Sequence, residues 1–386
     1  MPTTLQDWFC LKEGRDNFKP HVIRDQNLFF CHEHQLQDEI LRSIKRRYAA
    51  NEPVKMLLYG DWGVGKTHTA RHICWWLEQN KNEYPGKPVV IEIGDMTAKS
   101  RFDTLVRPFL DELGIDFLID LARKYLQLKP NVVQALQQAG VPLYVATVIS
   151  KFNMATPGIT PPPVVDDAFS CLKGRKPPSS AASVGLGQQI VESNELFGVL
   201  LAIGEMYRAV NKQRMIFIAD EAAKLNDVED DETTRAHWIA TNRLIFDDNN
   251  NTFGFVYTLS AANDRALPQA IWHPQLQNRI GQNKYLLENL KPQDVGSFIR
   301  KLIDEFVDNG KVDQLAQTGQ IPASDYDWSN YPFTNQAKTL FIDYYQRDQE
   351  NAKPRDISEK LNELGFIALS SNNRLITPEH LSAAGM

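Results

Sequence analysis

The sequence predicts an α/β protein: a parallel sheet covered by helices on both faces, followed by a small all-helical domain. Three observations carry that expectation. Short apolar runs at 54–59 (VKMLLY), 89–93 (VVIEI), 215–219 (MIFIA) and 253–260 (FGFVYTLS) have the length and side chains of strands. Long segments with helical spacing of apolar residues separate them, and strands alternating with helices build parallel sheets. After 284–287 (KYLL) only the helical pattern continues.

Each element has its own local reason. Residues 36–49 repeat apolar positions at helical spacing until Asn51-Glu52-Pro53 breaks them. The run 54–59 ends in glycine and gives way to a glycine loop, then to a helical stretch that begins at Thr67. Gly94-Asp95 closes the second strand, and helices are expected over 102–113, 117–128, 192–210 and 233–246. The acidic and amide-rich turn at 247–251 introduces the fourth strand. Between 157 and 178 the chain carries a triple proline at 161–163, followed by KGRKPPSSAAS at 173–183. Prolines at that density read as a mobile insertion that packs as neither helix nor strand, within a helical and Pro/Ser-rich stretch inserted at about 114–190. The helical domain is expected over 292–309, 335–346, 354–369 and 378–384. These boundaries divide the chain into an N-terminal extension (1–27), a core (28–289) and a helical lid (290–386). Trp75 and Trp76, two turns past the loop, read as core beneath the sheet.

Composition narrows the function classes. The chain has 386 residues, 42% of them hydrophobic, and a formal charge of −6, which excludes a protein that coats nucleic acid by bulk positive charge. Its four cysteines (Cys10, Cys31, Cys74, Cys171) form no C-x-x-C pair, so neither a disulfide framework nor a four-cysteine zinc site is expected, and a reducing cytoplasm fits best. No secretory leader pattern and no long apolar span is visible, so neither export nor membrane spanning is expected.

The strongest signal is Gly60-Asp61-Trp62-Gly63-Val64-Gly65-Lys66-Thr67, which matches G-x-x-x-x-G-K-[ST] directly after an apolar strand and at the opening of a helix. Glycines let backbone N–H groups close around phosphates, the helix start adds its positive dipole end, Lys66 reaches the terminal phosphates, and the Thr67 hydroxyl ligates magnesium. The third strand delivers Asp220 and Glu221. Behind a phosphate loop, the first carboxylate holds the magnesium shell and the second orients or deprotonates the attacking water. The cofactors expected are ATP and Mg²⁺, with His68 counted in the loop's binding set.

In this order the parts resemble an AAA+ ATPase, in the branch of replication initiators and origin-recognition subunits that is related to transposon target-selection and phage-defence ATPases. Residues 28–41 resemble the segment that lies against the adenine. Strand four runs into Asn263, which resembles the sensor-1 residue, with Ser260 as the alternative. The segment 274–281 around Arg279 resembles the one that presents an arginine finger to a neighbouring subunit. The stretch from 331 to Lys353-Pro354-Arg355 resembles the lid segment whose arginine, sensor 2, folds onto the nucleotide, and 376–381 resembles the last lid helix. The resemblance implies catalytic roles for Glu221, Arg279, Asn263 and Arg355, hydrolysis at subunit boundaries, and a ring or filament of identical subunits. Asp61 and Trp62 are unusual loop occupants, the insertion lengthens the spacing from Lys66 to Asp220, and no winged-helix domain is seen.

Other clusters were weighed. Cys31-His32-Glu33-His34 is too compact to surround one metal ion. The acidic run 227–232 reads as a solvated loop. The segment 184–189 (VGLGQQ) departs from the ABC-transporter signature. Lys45, Arg46 and Arg47, with Lys173, Arg175 and Lys176, are the candidate contacts to duplex DNA. The function expected is an ATP-controlled oligomeric switch that assembles on duplex DNA. The alternative is a regulatory ATPase that binds and remodels a partner protein, docking through the insertion and acidic loop. A non-hydrolysing scaffold is disfavoured by the presence of both Asp220 and Glu221.

Overall fold

Five strands form one parallel sheet: β1 (Lys55–Gly60), β2 (Gly86–Glu92), β3 (Arg214–Asp220), β4 (Gly254–Ser260) and β5 (Lys284–Leu287), in spatial order β2-β3-β4-β1-β5. The computed structural model describes residues 4–21, 25, 34–94, 96–97, 99–222, 225, 228, 230–247, 251–322, 330–348 and 350–386. Every residue of β1 is buried, as is every residue of β3 after Arg214. Burial on both faces is why these strands read as continuous apolar runs rather than alternating ones. The exception is β2, which starts at Gly86 rather than at residue 89 and carries Pro88. Its place at the sheet edge explains this, because an edge strand tolerates a residue with no N–H to donate.

The chain folds as two units. One comprises Asp38–Gly60 and Ala70–Leu286, and its core joins the sheet to its helices. Phe217 on β3 lies edge-on to Phe109 at 4.9 Å and to Phe253 at 5.4 Å, so ring packing ties the strand to helix Asp103–Leu113. Gly254 marks a close approach, since a Cβ there would sit 2.5 Å from the Val54 carbonyl oxygen.

The expected mobile insertion is instead part of this core. Pro163 opens a helix, Pro163–Leu172, that buries Val165, Ala168, Cys171 and Leu172. Proline suits the first helical turn because that N–H has no intrahelical partner and the fixed φ is already helical. The triple proline therefore starts a helix where it was expected to prevent one. Helices Val132–Gln138 and Leu143–Ser150 precede it. Beyond it, Ala181, Leu186 and Ile190 are buried in the same core. Trp75 and Trp76 are half-buried rather than core.

The other unit comprises Asp61–Thr69, Leu287–Met386 and the described part of Met1–Gln37. Its helices are Pro292–Phe306, Asn309–Gln317, Asn335–Arg347, Pro354–Ser370 and Pro378–Ala383. The single helix expected over 292–309 ends at Phe306, and Asp308 caps the next by accepting from the Gly310 and Lys311 amides. The N-terminal stretch supplies Leu5, Phe9, Leu11 and Phe18 to the same core. Gly365 faces this stretch closely, since a Cβ there would stand 3.3–3.6 Å from the side-chain ends of Leu5, Phe18 and Phe9. Among the described residues no helix is long and apolar enough to cross a membrane.

Phe217→Ala should destabilise the sheet unit by about 3–5 kcal/mol, the usual cost of deleting a fully buried ring that its neighbours cannot collapse onto. Guanidinium unfolding of parent and variant, followed by far-UV circular dichroism, measures it.

Candidate nucleotide-binding site

Ligands of open α/β sheets bind at the carboxyl ends of the strands. There β4 separates β1 from β3, with Gly60 in register with Ser260 and Ala219 with Tyr257. Gly60 and Asp220 therefore end strands on either side of β4, at the same edge of one sheet.

The loop after Gly60 has the backbone its glycines were expected to permit. Gly63 has φ +85° and Gly65 φ +94°, in the left-handed region where a side chain is strained. Helix Lys66–Gln79 then begins, its first turn closed by the Thr69 amide bonding the Gly65 carbonyl at 2.8 Å. Val64 is buried and Thr67 half-buried. Lys66 Nζ donates to the Asp61 carbonyl at 2.7 Å, and the Asp61 carboxylate accepts from the Trp62 amide at 2.8 Å. His68 is buried, its Nε2 2.7 Å from the Asp25 carbonyl oxygen, so it braces the loop from the N-terminal segment. Backbone amides at a helix start with one lysine fit an oligophosphate. The Thr67 hydroxyl in this unit and the Asp220 carboxylate in the sheet unit are each hard oxygen donors of the type magnesium prefers. No group of three or more His, Cys, Asp or Glu side chains able to hold a metal occurs among the described residues. Magnesium would thus need phosphate oxygens and water to complete its shell.

The lid's Lys353 and Arg355 meet this loop within the same unit. Lys353 Nζ lies 2.6 Å from Asp61 Oδ2, and that bond, followed by the Trp62 amide, pulls the Asp61 pKa below the usual carboxylate value. The Arg355 guanidinium lies over the Trp62 ring at 3.6 Å, and its Nε donates to Glu359 at 3.2 Å. The two unusual loop residues, Asp61 and Trp62, are therefore those that touch the lid cations. Sequence reasoning had no role for Lys353.

In the sheet unit, Thr258 Oγ1 donates to Asp220 Oδ1 and accepts from the Glu221 amide at 3.0 Å. The same amide bonds Asp220 Oδ1 at 3.0 Å. Glu221 has φ +57°, a left-handed conformation costing a non-glycine residue about 1–3 kcal/mol, and these two bonds hold it. Asp220 is buried while Glu221 is exposed. Thr258 was not foreseen, because only the strand order places it beside Asp220.

The remaining candidates are arranged differently. Asn263 is exposed, and its Oδ1 caps the short helix Asp264–Ala266 by accepting from the Arg265 amide at 2.9 Å. Asp264 is more deeply engaged, bonded to Tyr59 and ion-paired with Lys284. Arg279 is half-buried against its own subunit, with Nη1 donating to the Gln275 carbonyl at 2.6 Å and Nε 3.5 Å from Asp247. Among the basic groups, Lys45, Arg46, Arg175 and Lys176 are exposed. Arg47 donates to the Pro53 carbonyl at 3.1 Å. Contrary to the expectation of a surface cation, Lys173 is buried, ion-paired with Asp111 and seated over Phe169, so it packs with the core and is not available to DNA. Residues 28–33 of the adenine-side segment 28–41, Cys31, His32 and Glu33 among them, and Asp227 and Glu229 of the acidic run lie outside the described residues.

No family model matches the sequence, and no curated protein matches it. Solved structures do. The ADP form of the Aeropyrum pernix ORC2 protein aligns with TM-score 0.51 at 12% identity, covering 98% of this chain and 71% of that one. The ADPNP-ADP complexes of the same protein align with TM-score 0.50 at 13% identity, covering 95% and 71%. The chain therefore shares the fold of the Aeropyrum pernix ORC2 protein.

Thr258→Val keeps the side-chain volume but strips the hydroxyl from Asp220 and the Glu221 amide. It should cost about 1–3 kcal/mol, the penalty for leaving buried polar groups short of a partner. Thermal unfolding of parent and variant measures the loss.

Proposed function

We propose that this chain binds ATP with magnesium and hydrolyses it at the boundaries between identical subunits, as an ATP-controlled switch that assembles on duplex DNA. One observation carries the reading: β1 ends at Gly60 one strand away from the β3 end that carries Asp220 and Glu221, and the loop that follows Gly60 in the chain has left-handed Gly63 and Gly65 and opens a helix at Lys66. Lys66 and the loop amides hold the phosphates, and Thr67 and Asp220 hold the metal. Magnesium, when bound, supplies charge neutralisation between the β- and γ-phosphates. Glu221 orients the attacking water, and its exposed carboxylate fits that task. Arg279 acts on a neighbour, which requires it to leave Asp247 for the neighbour's phosphate, and Arg355 acts from the lid. Asn263 or Ser260 senses the γ-phosphate beside them.

The DNA part rests on Lys45 and Arg46, exposed on helix His34–Ala49, and on Arg175 and Lys176. The partner-protein alternative has its own support: Leu143, Met154 and Ile159 in the 114–190 segment are 58–62% exposed, an apolar display a protein partner would cover.

Lys66→Ala should abolish binding of a fluorescent ATP analogue. Glu221→Gln should retain it and slow phosphate release on the order of 10²-fold or more, as expected for losing a general base. Turnover of Glu221→Gln at the parental rate would show that another acid serves.

Binding of a labelled duplex should require a slowly hydrolysed ATP analogue and fall steeply with salt, and joint Lys45→Glu and Arg46→Glu replacement should weaken it. Fluorescence anisotropy across a salt series measures this. Absence of ATP-dependent binding even at low salt moves the reading to the partner protein.

A further inference from the structure

Trp62 is 56% exposed in the middle of a phosphate loop, where its ring contributes little to any core. Its contact is a cation. The Arg355 guanidinium carbon stands 3.6 Å from the ring centroid, and the Arg355 amide is 3.4 Å from the Gly63 carbonyl oxygen. Gly63 packs directly against these two residues, 3.4 Å from Arg355 Cβ and 3.6 Å from Lys353 Cδ measured from where a Cβ would stand, and its left-handed φ of +85° suits glycine. A second tie, Lys353 to Asp61 at 2.6 Å, fixes the same two segments one residue away.

A guanidinium uses its face to stack on an aromatic ring and its edges to donate hydrogen bonds, so the two contacts do not compete. Here the face is on Trp62 and Nε is on Glu359. Nη1 and Nη2 bond nothing among the described residues, and these are the donors a phosphate takes in a bidentate contact. From this we infer that Trp62 is a positioning residue: its indole presents Arg355 to the terminal phosphate of a bound nucleoside triphosphate, with Asp61 and Lys353 setting the spacing. The side-chain freedom that an isolated arginine would lose on binding phosphate is already given up in the stack. A triphosphate gains from this and a diphosphate does not, so Trp62 governs discrimination between ATP and ADP.

This inference rests on the ATP-binding reading above, and the measurements keep the two apart. The first readout needs no turnover. The ratio of ATP-analogue to ADP affinity, measured by competition with a fluorescent nucleotide, should fall roughly two- to fivefold in Trp62→Ala, the scale of one cation–π contact at an exposed site. Trp62→Tyr, which keeps an aromatic face, should recover most of the ratio, and Arg355→Lys, which keeps charge but not the planar face, should resemble Trp62→Ala. In an Arg355→Ala background, Trp62→Ala should change the ratio no further. The second readout is the nucleotide-free protein: the emission difference between parent and Trp62→Phe should shift when Arg355 is replaced by Ala.

An unchanged ratio in Trp62→Ala, with Lys66→Ala binding neither nucleotide, overturns the positioning role and leaves the ATP-binding reading standing. Equal loss from Trp62→Ala with and without Arg355 also overturns it. A parent chain that binds neither nucleotide overturns both.

Discussion

A parallel sheet buried on both faces leaves its polar chemistry one place to go. Side chains along β1, β3 and β4 face packed helices, so neither face of the sheet tolerates an unpaired charge. Only the strand ends reach loops. At the carboxyl ends the strands run into Gly60, Asp220 and Ser260, and the peptide dipoles and helix starts there favour anions. Thr258 shows how narrow the transition is: buried within β4, it spends both hydrogen-bonding functions on the Asp220–Glu221 junction, where the chain turns from sheet to site.

The phosphate loop belongs to the lid's unit and not to that of the strand from which it grows. Its lid contacts are an ion pair and a cation–π stack, both partly exposed and individually weak. The hydrophobic cores are separate, one around the sheet and one around the lid helices. Changing these few polar contacts at the loop therefore costs far less than opening either core.

How much of this was legible depended on distance along the chain. The loop, Asp220 and Glu221 were readable because each motif is contiguous and sits where a buried strand ends. Lid helices were readable from periodicity, apart from the break at Val307, which the bridge from Leu11 helps to hold. The insertion was misread because proline was taken as a breaker, although Pro163 falls where a helix welcomes it. Neither Trp62 with Arg355 nor Thr258 with Asp220 could be paired from sequence, since tertiary folding creates one contact and strand order the other. Lys173 looked like a surface cation because nothing local announces Asp111 and Phe169 beside it.

The lid core is assembled from the two far ends of the sequence. Trp8 Nε1 donates to the Asn373 carbonyl at 2.8 Å, and the Arg374 guanidinium lies 4.5 Å from the Trp8 ring. During synthesis the segment holding Leu5, Trp8 and Phe9 is therefore made more than 300 residues ahead of its partners in helix Pro354–Ser370, and it stays uncovered until they follow. The sheet unit can complete its core long before then. The lid core can close only after every segment of the sheet unit has been made, and until then Trp8 and Phe9 lack the side chains that bury them.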